Sequence, residues 1–369
     1  MSAALTFVFY NLIFILFCRL VYKASRSGEK KRKRLILTAC VLCGLVAAFR
    51  GNTGTDSAMY RNVYIYGVGS LTRWVEFEPG FKLAMKIMHL MHMPYQAFFF
   101  LWQFISTYLC IKFILYYQKD IDVRISSFAY ITSLFFSGLN AMRQIMAIAI
   151  CLYAICVFFD NHRKKAIVLI CVSGLFHRSG LICLGVVALY FVIRNKKVYK
   201  FVIAGSIVVI AFLVVNRSIL GSIIRIVTGS GYYSAYFTRD AYVDSSLFSY
   251  YLKQLPLLFI LISNIIYNKF DRKSGKGKYW IYVLTLFGVV LSSIASITDT
   301  QAGRLGLYFS SFKILVYGLI SYSGLMISRK TKIGYRYCKY GSMAYMYLIF
   351  IYDYFIKNFS SIVPYEPLR

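Results

Sequence analysis

Apolar runs of about membrane-spanning length recur from one end of this 369-residue chain to the other, separated by short basic segments. A helix needs about 20 apolar residues to cross a bilayer, with about 17–25 the usual range. The first run, Ala3 to Tyr22, meets that length and leads straight into KASRSGEKKRKR at 23–34. No small-residue cleavage site follows it, so it reads as a retained helix rather than a signal peptide. Eleven further runs lie near 35–49, 95–116, 126–139, 144–159, 166–176, 179–193, 201–215, 247–267, 279–298, 305–328 and 340–356. The expectation is one transmembrane unit over 1–369, an all-α polytopic helix bundle with about twelve crossings. The short pairs meeting at Asn140 and at His177 are expected to be tight hairpins or broken helices.

Composition removes the soluble alternative. Hydrophobic residues make up 59% of the chain and charged residues 15%. Soluble domains average about 45–50% and about 25%. Too little polar sequence remains to coat a soluble core of this size, and lipid is the solvent left. The net charge of +30 would fit nucleic acid in a soluble chain. Here the cations cluster between apolar runs, as membrane loops do, and no nucleic-acid partner is expected. The nine cysteines lie mostly inside apolar segments. Cys40 and Cys43 form a C-x-x-C without a second pair, which reads as helix filling rather than a metal or redox site.

The loops orient the bundle. With 23–34 on the cytoplasmic side, the inside loops hold 26 Lys and Arg against 13 outside, the asymmetry that cytoplasmic loops carry. Both termini then lie outside, as do two long segments, 50–94 and 216–246. Within the first, Phe81, Met85, Met88 and Leu90 give one apolar face, and Lys82, Lys86 and His89 lie elsewhere. A surface-lying or re-entrant amphipathic helix is expected near 79–92.

Polar residues divide by side. The inside loops are mostly Lys and Arg, which topology alone explains. The outer face is sparse and chemically mixed: Arg50, Asp56, Tyr60, Glu76, Glu78, Arg143, Gln144, His177, Arg178, Asp240, Asp299 and Arg304. Arg50, Arg143, Arg178 and Arg304 stand at helix ends against the charge bias. A guanidinium binds phosphate through a two-pronged fork that Lys lacks. Snorkelling to the headgroups would explain any one of them. It explains four less well, because each has a polar companion: Asp56, Gln144, His177 and Asp299. His177 can be neutral near pH 7 and take a hydroxyl proton, although a hydrogen-bonded histidine at a helix turn is the plainer reading. His89 and His92, three residues apart, lack further ligands, and no metal or cofactor is expected. No phosphate-binding loop, nucleophile elbow or zinc-protease motif is present.

Several of these outer residues lie in stretches that resemble the EpsG/Wzy-like polysaccharide polymerases of bacteria. The stretches are FRGNTGTDSAMYRNVY (49–64), EPGFKLAMKIM (78–88), NAMRQIMAIAICLYAI (140–155), GLFHRSGLI (174–182) and, most loosely, GRLGLYF (303–309). The resemblance implies a multi-pass enzyme of the bacterial cytoplasmic (inner) membrane that joins undecaprenyl-pyrophosphate-linked oligosaccharide repeat units at the outer face, in capsule, exopolysaccharide or O-antigen synthesis. It also implies metal-independent glycosyl transfer, with a flippase and a chain-length regulator as partners. On this view Arg50, Tyr60, Arg143, Gln144, Arg178 and Arg304 bind substrate, and the Arg groups stabilise charge on the departing pyrophosphate. His177 is the expected general base, with Asp56 next and Glu78 third. A carboxylate can instead stabilise an oxocarbenium-like state.

A lipid-linked oligosaccharide flippase is the rival reading. Carriers line their path with charges at mid-membrane. The helix interiors here hold Arg19, Lys112, Lys253 and Lys313, without an evident acidic partner at similar depth, and no repeat relates the halves. A membrane acyltransferase would want a sharper His–Asp pairing than GLFHRSG offers.

Overall fold

The computed structural model describes residues 1–67, 77–194, 253–254, 257–258, 261, 278–298, 303–323 and 332–368. Among them the chain is helical, with an isolated antiparallel bridge between Arg50 and Pro367 in place of any strand. The helices are α1 (Ala3–Ser25), α2 (Glu29–Ala48), α3 (Ser57–Tyr66), α4 (Pro79–Leu90), α5 (Tyr95–Tyr116), α6 (Val123–Tyr130), α7 (Phe136–Asn140), α8 (Met142–Phe159), α9 (Arg163–Phe176), α10 (Ile182–Arg194), α11 (Lys278–Thr298), α12 (Gly303–Ser310), α13 (Lys313–Ser323) and α14 (Lys332–Phe350). A π-helical segment, Ile131–Phe135, joins α6 to α7, and another, Ile351–Ile356, continues α14. Three of these helices, α1, α5 and α8, are long and apolar enough to cross a membrane. The expected run at 201–215 and the external segment 216–246 lie outside the described residues, as do 68–76, Glu76, Asp240 and Asp299.

The outward faces are matched to lipid. On α1, Leu5, Val8, Leu12 and Ile15 are exposed, and on α2, Leu37, Val41 and Leu45. Such helical stripes in water would be an association hazard.

Both short pairs are hairpins. At Ala141 (φ −87°, ψ 53°) the chain leaves the helix and turns back. The far end of α8 then reaches the far end of α5, where the Tyr116 hydroxyl donates to Asp160 at 2.9 Å. At His177 (φ −156°, ψ 118°) the backbone is extended before a short 3₁₀ turn, Arg178–Leu181. Helix α10 then returns alongside α9, with the Arg163 guanidinium 5.5 Å from the Phe191 ring. The run expected as one helix at 305–328 is broken into α12 and α13. Ser311 donates its hydroxyl to the Leu307 carbonyl there, a back-bond that bends helices.

On α4, Phe81 and Met85 are buried, as the amphipathic pattern requires, whereas Leu90 is exposed. Nine positions at about 100° each carry Leu90 half a turn round from Phe81. It joins exposed Leu83 and Ile87 in a second apolar stripe.

The two ends of the bundle differ in content. At one end the tail folds back over the loop after α2: Gly51 N–H donates to Glu366 O at 2.6 Å, Gly54 N–H to Ser361 O at 2.9 Å, and Leu368 N–H to Phe49 O at 2.9 Å. The N-terminal amine donates to Tyr365 O at 3.1 Å. Gly54 (φ +95°) sits against the α7–α8 tip, where a Cβ would lie 2.9 Å from Leu139 O, so glycine is required. At the opposite end Asp122 pairs with Lys339 at 3.1 Å and Arg124 at 3.3 Å. We expect Asn52→Cys, in a background without native cysteines, to react with an impermeant thiol reagent on intact cells and Lys30→Cys to be protected. The reverse pattern would invert the bundle.

Candidate functional site

Glu78 is the joint of the site. Its backbone is extended (φ −66°, ψ 151°), the conformation a following proline favours. Pro79 then opens α4 at the one position where a missing N–H costs nothing. Gly80 lets α4 lie close on α9, since a Cβ there would be 2.8 Å from Leu175 O. The carboxylate, 1% exposed, therefore points into the protein beside the α9–α10 turn. Its Oε2 accepts from Arg143 Nη1 at 2.6 Å, and its Oε1 from the Arg178 backbone N–H at 3.2 Å.

Arg143 begins α8 just beyond the hairpin tip. Its Nε donates to the Tyr60 hydroxyl at 3.4 Å. Its guanidinium lies 4.6 Å from the Phe77 ring and 5.7 Å from Phe81. Those rings continue into a wall in which Phe81 meets Trp102 edge-on at 4.9 Å. A carboxylate on one side and aromatic faces on the other hold the guanidinium in one orientation. Its side chain remains 11% exposed.

His177 faces the α12 stretch. Its Nδ1 makes a short hydrogen bond with Ser179 Oγ. Ser179 Oγ donates to the Tyr308 hydroxyl at 3.1 Å, and that hydroxyl is 3.4 Å from Nδ1. With the Ser179 proton given to Tyr308, the arrangement fits the tautomer protonated on Nδ1, which leaves the lone pair on Nε2.

Arg50 and Asp56 meet the α7–α8 hairpin tip. Arg50 is 1% exposed; Nη1 donates to Leu139 O, its guanidinium lies 4.7 Å from the Phe99 ring, and its Nε has no hydrogen-bond partner among the described residues. Burial draws its pKa down to about 10, with Tyr365, Tyr60, Tyr10 and Asp56 opposing, so it stays charged at neutral pH. Asn140 Oδ1 accepts from Thr55 Oγ1 and from Asp56 N–H, both at 2.9 Å. Asp56 precedes α3 without capping it, and its carboxylate makes no hydrogen bond among the described residues.

The sequence-derived residues do not all meet. Glu78, Arg143, Tyr60 and the Arg178 backbone form one cluster, with His177 next to Arg178 in the chain. Arg50 and Asp56 are tied to that cluster through residues 139–143. Gln144 is buried in the first turn of α8. Arg304 lies in the first turn of α12, and its side chain is outside the described residues. Ser179, Tyr308 and Asn140 belong to the constellation without having been singled out as site residues. The nearest sequence signal was their place inside FHRSG, GRLGLYF and NAMRQ.

Lipid-facing helices with a buried arginine, carboxylate and histidine cluster at one end define a membrane protein with a polar site near one bundle face. The chain belongs to the EpsG family, whose profile matches residues 33–366, and with it to the membrane proteins of polysaccharide biosynthesis. No curated protein and no solved structure matches it.

Proposed function

We propose that this protein is a polysaccharide polymerase that joins undecaprenyl-pyrophosphate-linked repeat units at the outer face of the bacterial cytoplasmic membrane, in capsule, exopolysaccharide or O-antigen synthesis. The carrying observation is the junction at Glu78, where three stretches distant in sequence deliver Arg143, Tyr60 and the His177–Arg178 turn to one place. About twelve crossings bring both termini and this site to the outer side.

In this reading a hydroxyl of the incoming unit attacks the anomeric carbon of the growing chain, and the lipid pyrophosphate leaves. His177 Nε2 takes the hydroxyl proton. Asp56, with its carboxylate free of hydrogen bonds among the described residues, is the next base or the group that stabilises oxocarbenium charge. Glu78 is third, because both its oxygens are already engaged. Arg50, Arg143, Arg178 and Arg304 bind the pyrophosphate, and Tyr60 and Gln144 border it. No metal or cofactor enters the scheme. A flippase supplies the substrate and a chain-length regulator bounds the product.

The flippase reading draws on a different observation. Lys253, expected from sequence to lack an acidic partner, pairs with Asp353 at 2.6 Å inside the bundle.

The test is purified protein supplied with a defined undecaprenyl-pyrophosphate repeat unit. Longer glycans are the expected product; none, with substrate crossing the bilayer instead, would favour the carrier. Arg50→Lys, Arg143→Lys and Arg304→Lys keep charge and lose the fork. Each should lower polymer yield by at least about tenfold, the scale of one charged hydrogen bond, while the protein still reaches the membrane. Near-normal polymer from all three would reduce these residues to interfacial anchors.

A further inference from the structure

Deeper in the bundle, away from the Glu78 junction, the described residues line a partly open cavity of about 120 Å³ with mixed polar and apolar walls. Thr132 and Ser133 line it from one π-helical segment and Asp353 from the other; Lys253, Lys313 and Tyr317 add polar groups, and Met346 and Ile349 an apolar side. Thr132 precedes Asn140 by eight residues, so the cavity lies about 12 Å along the helix from the hairpin tip. Residues with charge at this depth are rare and mark ligand or ion sites. π-helical turns are uncommon and concentrate at functional sites, and here two of them face one space.

The charges do not balance. Lys253 is held by Asp353 at 2.6 Å and lies 4.7 Å from the Tyr352 ring. Lys313 is half-buried, and among the described residues no hydrogen bond or ion pair reaches it, although Asp353 acts on it through space. Thr132 donates its hydroxyl to Phe128 O at 2.7 Å, and Ser133 donates to Ala129 O. These hydroxyls bring oxygen lone pairs and no negative charge. Among the described residues, two ammonium groups against one carboxylate leave one positive charge in an apolar bundle, where an uncompensated charge is costly.

We infer that this cavity is a binding site for a phosphate-class anion, with Lys313 as the counter-charge and the Lys253–Asp353 pair beside it. Its volume equals about four waters at roughly 30 Å³ each, room for a phosphate group. The anion is a lipid phosphate headgroup or a free phosphate, which share this chemistry. The inference does not rest on the polymerase reading, because binding is measured without turnover.

The experiment uses full-length protein in nanodiscs of zwitterionic lipid. Thermal unfolding is followed against inorganic phosphate and against a short-chain polyprenyl monophosphate. The wild-type midpoint should rise with at least one probe. Lys313→Met should raise the half-saturating concentration about tenfold, and Asp353→Asn, which removes a repelling charge, should lower it about tenfold. If Lys313→Met does not fold, the opposite-signed Asp353→Asn shift decides alone. A response to inorganic phosphate identifies a free-anion site, and a response to the lipid phosphate alone identifies a headgroup site. No shift with either probe, equal half-saturation in the folded variants, or loss of the response in Arg143→Lys would overturn the inference.

Discussion

Glu78→Ala should destabilise the protein by about 3–5 kcal/mol and abolish most polymer formation. Removing one partner of a buried ion pair strands the other charge, and that range is the usual cost. Here the stranded group is Arg143, which among the described residues keeps the Tyr60 hydroxyl at 3.4 Å and the faces of Phe77 and Phe81. The Arg178 N–H loses its acceptor as well, which loosens the α9–α10 turn that carries His177. The double variant Glu78→Ala with Arg143→Met separates architecture from chemistry. Deleting both charges should recover much of the lost thermal stability, since an apolar pair of similar bulk can substitute for a buried ion pair. It should recover no polymerisation, because the anion-binding fork is gone. A double variant that polymerised normally would show the pair to be structural only. A stable, active Glu78→Ala would remove Glu78 from the site altogether.

Much of the fold could be read from sequence because lipid imposes a length and a composition. The described helices follow the apolar runs, and charge asymmetry in the loops assigned both termini to one side. The contact between the Met1 amine and Tyr365 O agrees with that shared side. What escaped were features with weak local signals. Ser311 turns one expected crossing into α12 and α13 through a side-chain bond to Leu307 O, and a single serine in an apolar run predicts no such break. The folding back of the tail over residues 49–55 rests on backbone hydrogen bonds, which any sequence can make. The Lys253–Asp353 pair joins residues 100 apart, and nothing in the spacing of either one points to the other.

The candidate residues could be picked out for a related reason. Polar residues at helix ends are conspicuous among apolar runs, so Arg50, Asp56, Glu78, Arg143 and His177 could be marked individually. Which of them touch could not, because that depends on how α4 seats on α9. The seat is set by Gly80 against Leu175, a contact that sequence alone does not reveal. The two carboxylates differ in their surroundings. Glu78 has both oxygens engaged, by Arg143 and by the Arg178 N–H, while Asp56 has neither engaged among the described residues. A bound carboxylate positions; a free one can take a proton or face a developing cation.

His177→Ala should lower the polymerisation rate by about 10²–10⁴-fold, the usual contribution of a general base, with little loss of lipid-substrate binding. An imidazole must be neutral to act, so the wild-type rate should fall as the pH drops and the ring takes up a proton. The residual rate of His177→Ala should lack that fall. Tyr308→Phe supplies a second reading of the same network. It keeps the ring and removes the hydroxyl that accepts from Ser179. Ser179 would then be free to donate to Nδ1, which favours the tautomer with the proton on Nε2 and disables the lone pair needed for the attack. Tyr308→Phe should therefore lower kcat about tenfold with KM nearly unchanged, and Ser179→Ala in the same background should restore part of it. If instead His177→Ala keeps the wild-type pH profile, the imidazole is not the base. The same measurement then passes to Asp56→Asn, whose carboxylate is the next group free to accept the proton.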